Sequence, residues 1–149
     1  MDTSQLSESK EGEVESIKFY SAPSVEVAID ALPYEVNLPE TLPFQSDGFN
    51  SLGITDYGGT GQNPEGMFMA KDKKENSLIL STTTLQLEYP DSDPEEITLK
   101  NGYQAFYTAP NSMDVIVKDI TYAYTLIMPE LDEKQIKDEL LNLAEQLVE

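Results

Sequence analysis

The stretch MDVIVKDITYAY, from Met113 to Tyr124, decides the fold because its apolar residues alternate on both sides of a central polar pair. If Lys118 and Asp119 form a two-residue turn, the flanking residues pair across an antiparallel hairpin. The facing pairs are then Val117 with Ile120, Val115 with Tyr122 and Met113 with Tyr124. Because residues two apart in a strand share a face, this register predicts one continuous apolar side that packs on a core.

Short alternating runs precede this hairpin and predict more antiparallel strands. We expect strands at residues 49–57, 66–70 and 77–89, with a bulge near residues 81–84 where the apolar parity changes. Asn101 and Gly102 predict a type I′ hairpin turn, since both residues accept the positive φ that this turn requires. Prolines at positions 33, 39 and 43 predict an extended segment before the strands.

Two amphipathic segments predict helices on either side of the strands. Residues 21–32 place Pro23 near a helix start and repeat aliphatic residues at helical spacing. A longer helix follows Pro129, where Asp132 and Gln135 have the spacing of a capping box. Its apolar stripe consists of Ile136, Leu140, Leu143, Ala144 and Leu147. These patterns predict an α+β domain in which the C-terminal stripe packs on an antiparallel sheet of about six to seven strands.

The composition limits both the domain organisation and the partners. Residues 1–20 are rich in Ser, Glu and Gly, a composition that predicts a disordered acidic tether. We expect residues 21–149 to form a single domain. The formal net charge of −19 opposes binding to nucleic acid and to anionic membrane surfaces. The chain has no Cys, His or Trp, and it lacks Arg, which excludes a disulfide framework, a thiolate metal site and redox chemistry. No segment is apolar over the length needed to insert into a membrane.

Acidic residues offer the only candidate metal ligands. Asp91, Asp93, Glu95 and Glu96 form the densest carboxylate run and are weak calcium candidates. The run lacks the glycine and the final bidentate glutamate of an EF-hand loop, so we expect a solvated acidic loop instead. We expect no catalytic residue, no cofactor site and no other metal site.

Other residues leave two interpretations open. Tyr103 and Tyr107 share one face of their strand, as do Tyr122 and Tyr124, which fits either core packing or a ligand groove between sheet and helix. The lysines at positions 71, 73 and 74 either contact an anionic partner or keep a turn soluble. The glycine-rich loop at residues 58–61 lacks the Lys and Ser or Thr of a phosphate loop and predicts a flexible hairpin loop.

Several segments together carry a family resemblance. They are YEVNLP at residues 34–39, LP at residues 42–43, NGYQAFY at residues 101–107, YAY at residues 122–124 and the closing helix. Over about residues 22–148 the chain resembles a domain-of-unknown-function family of exported Gram-positive, bacillus-type lipoproteins and of the extracytoplasmic domains of anti-sigma factors. The resemblance implies a curved antiparallel sheet with the short N-terminal and the C-terminal amphipathic helix on one face, similar to the periplasmic lipoprotein carriers. It implies no known activity.

The function expected from these observations is a noncatalytic extracytoplasmic binding or regulatory module of a lipoprotein or membrane-anchored protein. Its anchor would lie in a segment outside this sequence; the first residues lack a basic start and an apolar signal core, so a cytoplasmic location stays open. The alternative is a carrier that holds a lipid or another hydrophobic molecule between sheet and helix, which predicts a large apolar cavity there. A carboxylate-dependent hydrolase, with Asp114 and Asp119 as the acids nearest the core, predicts two converging carboxyls with raised pKa.

Overall fold

The structure is a computed structural model that describes residues 1–14, 16–85 and 93–148, with residues 10–14 described by their backbone alone. Within these residues the chain forms nine strands and two helices. In chain order they are β1 (Ser7–Val14), β2 (Ile17–Ser21), α1 (Val25–Ala31), β3 (Phe49–Tyr57), β4 (Asn63–Lys71), β5 (Ser77–Thr83), β6 (Glu95–Thr98), β7 (Gln104–Thr108), β8 (Ser112–Val117), β9 (Ile120–Ile127) and α2 (Glu133–Val148).

All nine strands belong to one open antiparallel sheet, in the order β1-β2-β3-β4-β5-β9-β8-β7-β6. The predicted α+β class with an antiparallel sheet and two helices is confirmed, but the expected number of six to seven strands is wrong. The strands that the sequence does not predict are β1 and β2. Of the predicted strand at residues 77–89, β5 accounts for the part up to Thr83, and residues 86–89 lie outside the described part.

Strands β1 and β2 lie in the segment expected to be a disordered tether. Strand β2 pairs along the edge of β3, with Ile17 opposite Tyr57 and Tyr20 opposite Ile54. Tyr20 is partly buried against the core. The composition of residues 1–20 as a whole does not reveal this strand, because its apolar residues Ile17, Phe19 and Tyr20 are few and its backbone pairs with a sheet edge formed by a distant segment.

The β8–β9 hairpin has the predicted register. Lys118 and Asp119 form its turn with φ of 51° and 68°, the positive values that a type I′ turn requires. Val117 faces Ile120, and the predicted pairs Val115–Tyr122 and Met113–Tyr124 follow along the strands. The predicted continuous apolar side is therefore present and belongs to the core.

The predicted type I′ turn at Asn101 and Gly102 is wrong, although β6 and β7 do form a hairpin. Only Gly102 of this pair has positive φ, at 84°. Its N–H donates to the Leu99 carbonyl at 2.9 Å, and the Leu99 N–H donates to the Tyr103 carbonyl at 2.8 Å. The loop therefore has three residues and places its glycine last, the arrangement in which a single left-handed residue closes the hairpin.

Helix α1 begins just after Pro23, as predicted, with Ser24 as an N-cap that the sequence analysis did not name, and α2 begins at the predicted capping box. The Ser24 hydroxyl accepts the Val27 N–H at 3.2 Å at the start of α1. In α2 the capping box is reciprocal: the Asp132 N–H donates to the Gln135 side chain at 2.9 Å, and the Gln135 N–H donates to the Asp132 carboxylate at 2.8 Å. The predicted stripe is buried from Ile136 to Ala144, but at the C-terminal end of α2 Val148 is buried and Leu147 is only partly buried.

The helices and the proline-containing segment at residues 32–44 cover one face of the sheet, which we call the covered face. Leu32 lies so close over Gly66 that an added Cβ would be 2.8 Å from its side chain. The Tyr122 hydroxyl donates to the Glu35 carbonyl at 3.3 Å and accepts the Asn37 N–H at 3.2 Å. We call the opposite side the open face, because no helix of the described residues lies on it.

Candidate functional site

The four tyrosines proposed for a ligand groove occupy different environments. Tyr124 and Tyr122 are 1% and 2% exposed, and burial raises the pKa of both phenols. The buried Tyr107 donates its hydroxyl to the Pro110 carbonyl at 3.0 Å, and the Lys137 ammonium lies 5.3 Å from its ring centre. Tyr103 is only partly buried. Core packing accounts for the first three side chains.

Tyr103 and Tyr122 do meet, in a cleft of about 310 Å³ near the C-terminal end of α2. Its other lining residues include Tyr34, Glu35, Ile120 and Leu147. The Tyr122 hydroxyl is already engaged by backbone groups, so it has little capacity left to bind a ligand. The structure does not bring Tyr107 or Tyr124 to this cleft.

Between the sheet and α2, apolar side chains from both layers pack in one continuous cluster. Leu140 and Leu143 of α2 are at most 1% exposed, and so are the strand residues packed with them: Leu80, Met113, Val115, Tyr124 and Leu126. A cavity large enough for a lipid chain would hold the side chains of α2 apart from those of the strands. The cluster therefore fills the space between α2 and the strands, except at its margin, where Tyr124 and Leu143 line a cleft of about 370 Å³ beside residues 37–41.

The acidic run is only partly described. Asp91 lies outside the described residues, Asp93 precedes β6, and Glu95 and Glu96 open that strand. The Glu95 carboxylate lies 2.6 Å from the Lys137 ammonium, so it connects β6 to α2, and this hydrogen bond raises the pKa of Lys137. Among the residues that the structure describes, no group of three or more potential ligands is placed to hold a metal ion.

The glycine-rich loop between β3 and β4 is organised by Asp56, which sequence reasoning did not single out. Asp56 is 1% exposed and lies on the covered face beside Ile54. Both of its carboxylate oxygens accept the Gly61 N–H, at 2.9 and 3.2 Å. An acid at an apolar position of an alternating strand was the available signal, and here it indicates a structural role.

The lysine turn between β4 and β5 borders a cleft of about 860 Å³. Asp72 orders this turn by accepting the Lys74 N–H at 2.8 Å and the Asn76 amide at 2.7 Å. Lys71, Lys73 and Lys74 line the cleft opposite residues 43–48, which include the acidic Asp47. None of the three lysines forms an ion pair within the described part of the chain. The residues that line the cleft thus carry both positive and negative charges. This mixture favours neither of the two interpretations of the lysines, a turn kept soluble or a contact with an anionic partner.

The open face carries an acid in a less polar setting. Asp114 points away from its buried neighbours Met113 and Val115 and lies opposite Phe106 and Ala123 of the adjacent strands. Burial raises the pKa of Asp114 to about 6, and no hydrogen bond or ion pair with a described residue opposes that rise. Among the described residues, no second carboxylate converges on Asp114. The other acid considered for a hydrolase, Asp119, lies in the β8–β9 hairpin turn.

Comparison with known proteins finds no matching family model, no matching curated protein and no matching solved structure. In the described residues, no helix has the length and apolar character to cross a membrane. The geometry of the chain itself is therefore the basis for its functional interpretation.

Proposed function

We propose that the protein is a noncatalytic binding or regulatory module that contacts a partner protein through the open face of its sheet. The observation that carries this proposal is the asymmetry of the sheet. One face is covered by both helices, and the other has none among the described residues. An antiparallel sheet can leave one face to solvent, but that face is then usually polar.

The open face retains large apolar side chains. Ile116 on β8 is 47% exposed and Ile127 on β9 is 40% exposed. Met67, Met69 and Ile79 extend the same face across the neighbouring strands and are partly exposed. Met67, Met69, Ile79 and Ile127 lie on adjacent strands, whereas Ile116 lies nearer the β8–β9 turn, opposite Thr121. Exposed apolar side chains on a sheet surface are typical of protein contact sites.

Two further observations support a contact module over the alternatives. A carrier needs apolar space between sheet and helix, and there the side chains of α2 pack directly on the strands. A two-carboxylate hydrolase needs a second acid beside Asp114, and the rise in its pKa has burial alone as its cause among the described residues. An extracytoplasmic setting belongs to the same proposal, and it is supported by the family resemblance.

Site-specific photocrosslinking in the source cells tests the proposal. A photoreactive residue at Ile116 or at Ile127 should capture the same partner protein, since both positions lie on the open face. The control position is Lys134 on α2, whose side chain is 88% exposed but lies on the other side of the molecule. Capture from Lys134 but from neither isoleucine would contradict the use of the open face.

A further inference from the structure

A single row of residues crosses the middle of the open face. It runs over five adjacent strands from β7 to β4 and consists of Phe106, Asp114, Ala123, Ser81 and Met67, each directly opposite the next. Ile116 lies two residues further along the strand that holds Asp114. Asp114 is the one ionisable residue among these five, and the other four side chains are apolar or small. The row continues to Glu96 on the edge strand β6, directly opposite Phe106.

The described neighbours of Asp114 leave its charge uncompensated. Its direct cross-strand neighbours are Phe106 and Ala123, and the flanking open-face positions on the same two strands are Gln104, Thr108, Thr121 and Thr125. None of these side chains titrates or carries charge. At neutral pH a partly buried carboxylate is therefore held beside an aromatic residue with no cation from the described residues next to it, which is unfavourable in the free protein.

We propose that the open face docks a segment of a partner protein that brings a lysine or arginine side chain to Asp114, while apolar side chains of that segment contact Phe106, Ile116 and Ala123. This inference rests on the proposed function and specifies its partner. The pairing would supply the missing counter-charge in a setting from which docking excludes water, and it would fix the register of the segment on the sheet. A wrong partner without the cation would bury the carboxylate alone.

The surroundings of Asp114 favour a cationic side chain over a metal ion. Calcium takes six to eight oxygen ligands, and the described residues bring no other carboxylate to this position. A lysine or arginine stem is a hydrocarbon chain that can lie along apolar neighbours while its charged head reaches the acid. Phe106 and Ile116 offer such neighbours on two sides.

The inference can be tested with a small probe, n-hexylammonium, which carries a cation on an apolar chain. Its binding is followed by amide chemical shifts of the full chain in physiological salt, which screens diffuse attraction to the acidic surface. The wild type should show shifts centred on residues 106, 114, 116 and 123. Asp114→Asn should weaken the apparent affinity about five- to tenfold, and Asp114→Glu should retain most of it.

The matched control is Glu26→Gln, which removes one negative charge from an exposed acid on α1, on the other side of the molecule. This variant should bind n-hexylammonium like the wild type, and n-hexanol should not distinguish any of the variants. Binding to the wild type should also weaken as the pH falls below about 6, where Asp114 becomes protonated.

Equal losses in Asp114→Asn and Glu26→Gln would overturn the inference, since they would show a diffuse response to net charge. Shifts centred elsewhere, or absent, would overturn it as well. The proposed function would survive those results if crosslinking from Ile116 and Ile127 still captured one partner protein. Failure of the crosslinking itself would remove the proposed function and the inference together.

Discussion

Two partly or fully buried acids show how the immediate surroundings of a residue determine its role. Asp56 is almost fully buried, yet its carboxylate accepts a backbone N–H from the loop that it organises. Asp114 is less buried but has no such donor among the described residues. A buried polar group lowers the stability of a protein unless it is hydrogen-bonded. Asp56 therefore stabilises the fold and Asp114 destabilises it, and destabilising residues of this kind are expected at functional sites.

We therefore predict that Asp114→Asn stabilises the free protein at neutral pH. The pKa of Asp114 in the folded state is raised from its ordinary 3.8 to about 6, so wild-type stability falls as the pH rises between these values. After allowance for solvent screening of this partly exposed group, the gain should be about 1–2 kcal/mol at pH 7.5 and should shrink at pH 5.

Thermal unfolding at the two pH values measures this gain. Glu96→Gln is the control for the loss of one charge and should change stability little, because Glu96 is exposed. An Asp114→Asn variant that is less stable than the wild type at pH 7.5 would show that its carboxylate has a stabilising partner.

A second prediction concerns Tyr34, which joins the proline-containing segment at residues 32–44 to the sheet. Its hydroxyl lies 2.8 Å from the Thr82 carbonyl and 3.1 Å from the Pro64 carbonyl. Tyr34→Phe removes these contacts in a half-buried place and should lower the free energy of unfolding by about 1–2 kcal/mol in chemical denaturation. Tyr103→Phe, whose hydroxyl bonds to none of the described residues, should be close to neutral; an equal loss would argue against the role of the Tyr34 contacts.

Among the elements, alternation predicted pairing better than turn chemistry did. The β8–β9 register followed from residues 113–124, because only one pairing puts all the large apolar side chains on one side. The turn types were less predictable: the Lys118–Asp119 turn has positive φ at both residues, whereas the more typical Asn101–Gly102 pair does not. The pairing of the whole strands sets the loop length there and outweighs the local preference.

The close approach of β2 to β3 allows the pairing of the N-terminal strands with the sheet to be tested. Gly53 has φ of 111° at a bulge in β3, and a Cβ there would lie 2.7 Å from the Tyr20 carbonyl oxygen. Gly53→Ala should therefore push β2 from the sheet, destabilise the protein by about 1–3 kcal/mol and speed hydrogen exchange at residues 17–20.

Gly48→Ala is the matched control, because Gly48 has nearly the same φ of 112° but open space around it. It shares the backbone strain without the steric clash, and exchange at residues 17–20 should stay at the wild-type rate. Equal exchange in both variants would indicate that β2 is not held against Gly53.

Helix α2 should contribute a large part of the stability. Leu140 is fully buried against the sheet, and Leu140→Ala should cost about 2–5 kcal/mol in thermal or chemical unfolding. The adjacent Leu141 is only partly buried, so Leu141→Ala should cost clearly less. By the same reasoning, deletion of residues 131–149 should abolish cooperative unfolding, and a cooperative transition in the shortened chain would contradict the role of α2.

For the molecule as a whole, the sequence predicted the α+β class, the β8–β9 hairpin and the C-terminal helix, because each depends on the spacing of a few apolar residues. It predicted neither the two N-terminal strands nor the surface proposed for binding. Alternation shows that a strand has two faces, but the face that a helix covers depends on distant segments such as residues 32–44. The outward direction of Asp114 became meaningful only once both helices were placed on the other side.

Native mass spectrometry of the protein purified gently from its source organism tests whether the open face holds a protein partner. The expected spectrum shows the wild-type chain bound to another protein, and Ile116→Glu, which puts a charge on the open face, should appear without that partner. A partner retained by Ile116→Glu would contradict the assignment of the contact surface. A stoichiometric lipid or other hydrophobic molecule in place of the protein would contradict the binding module itself.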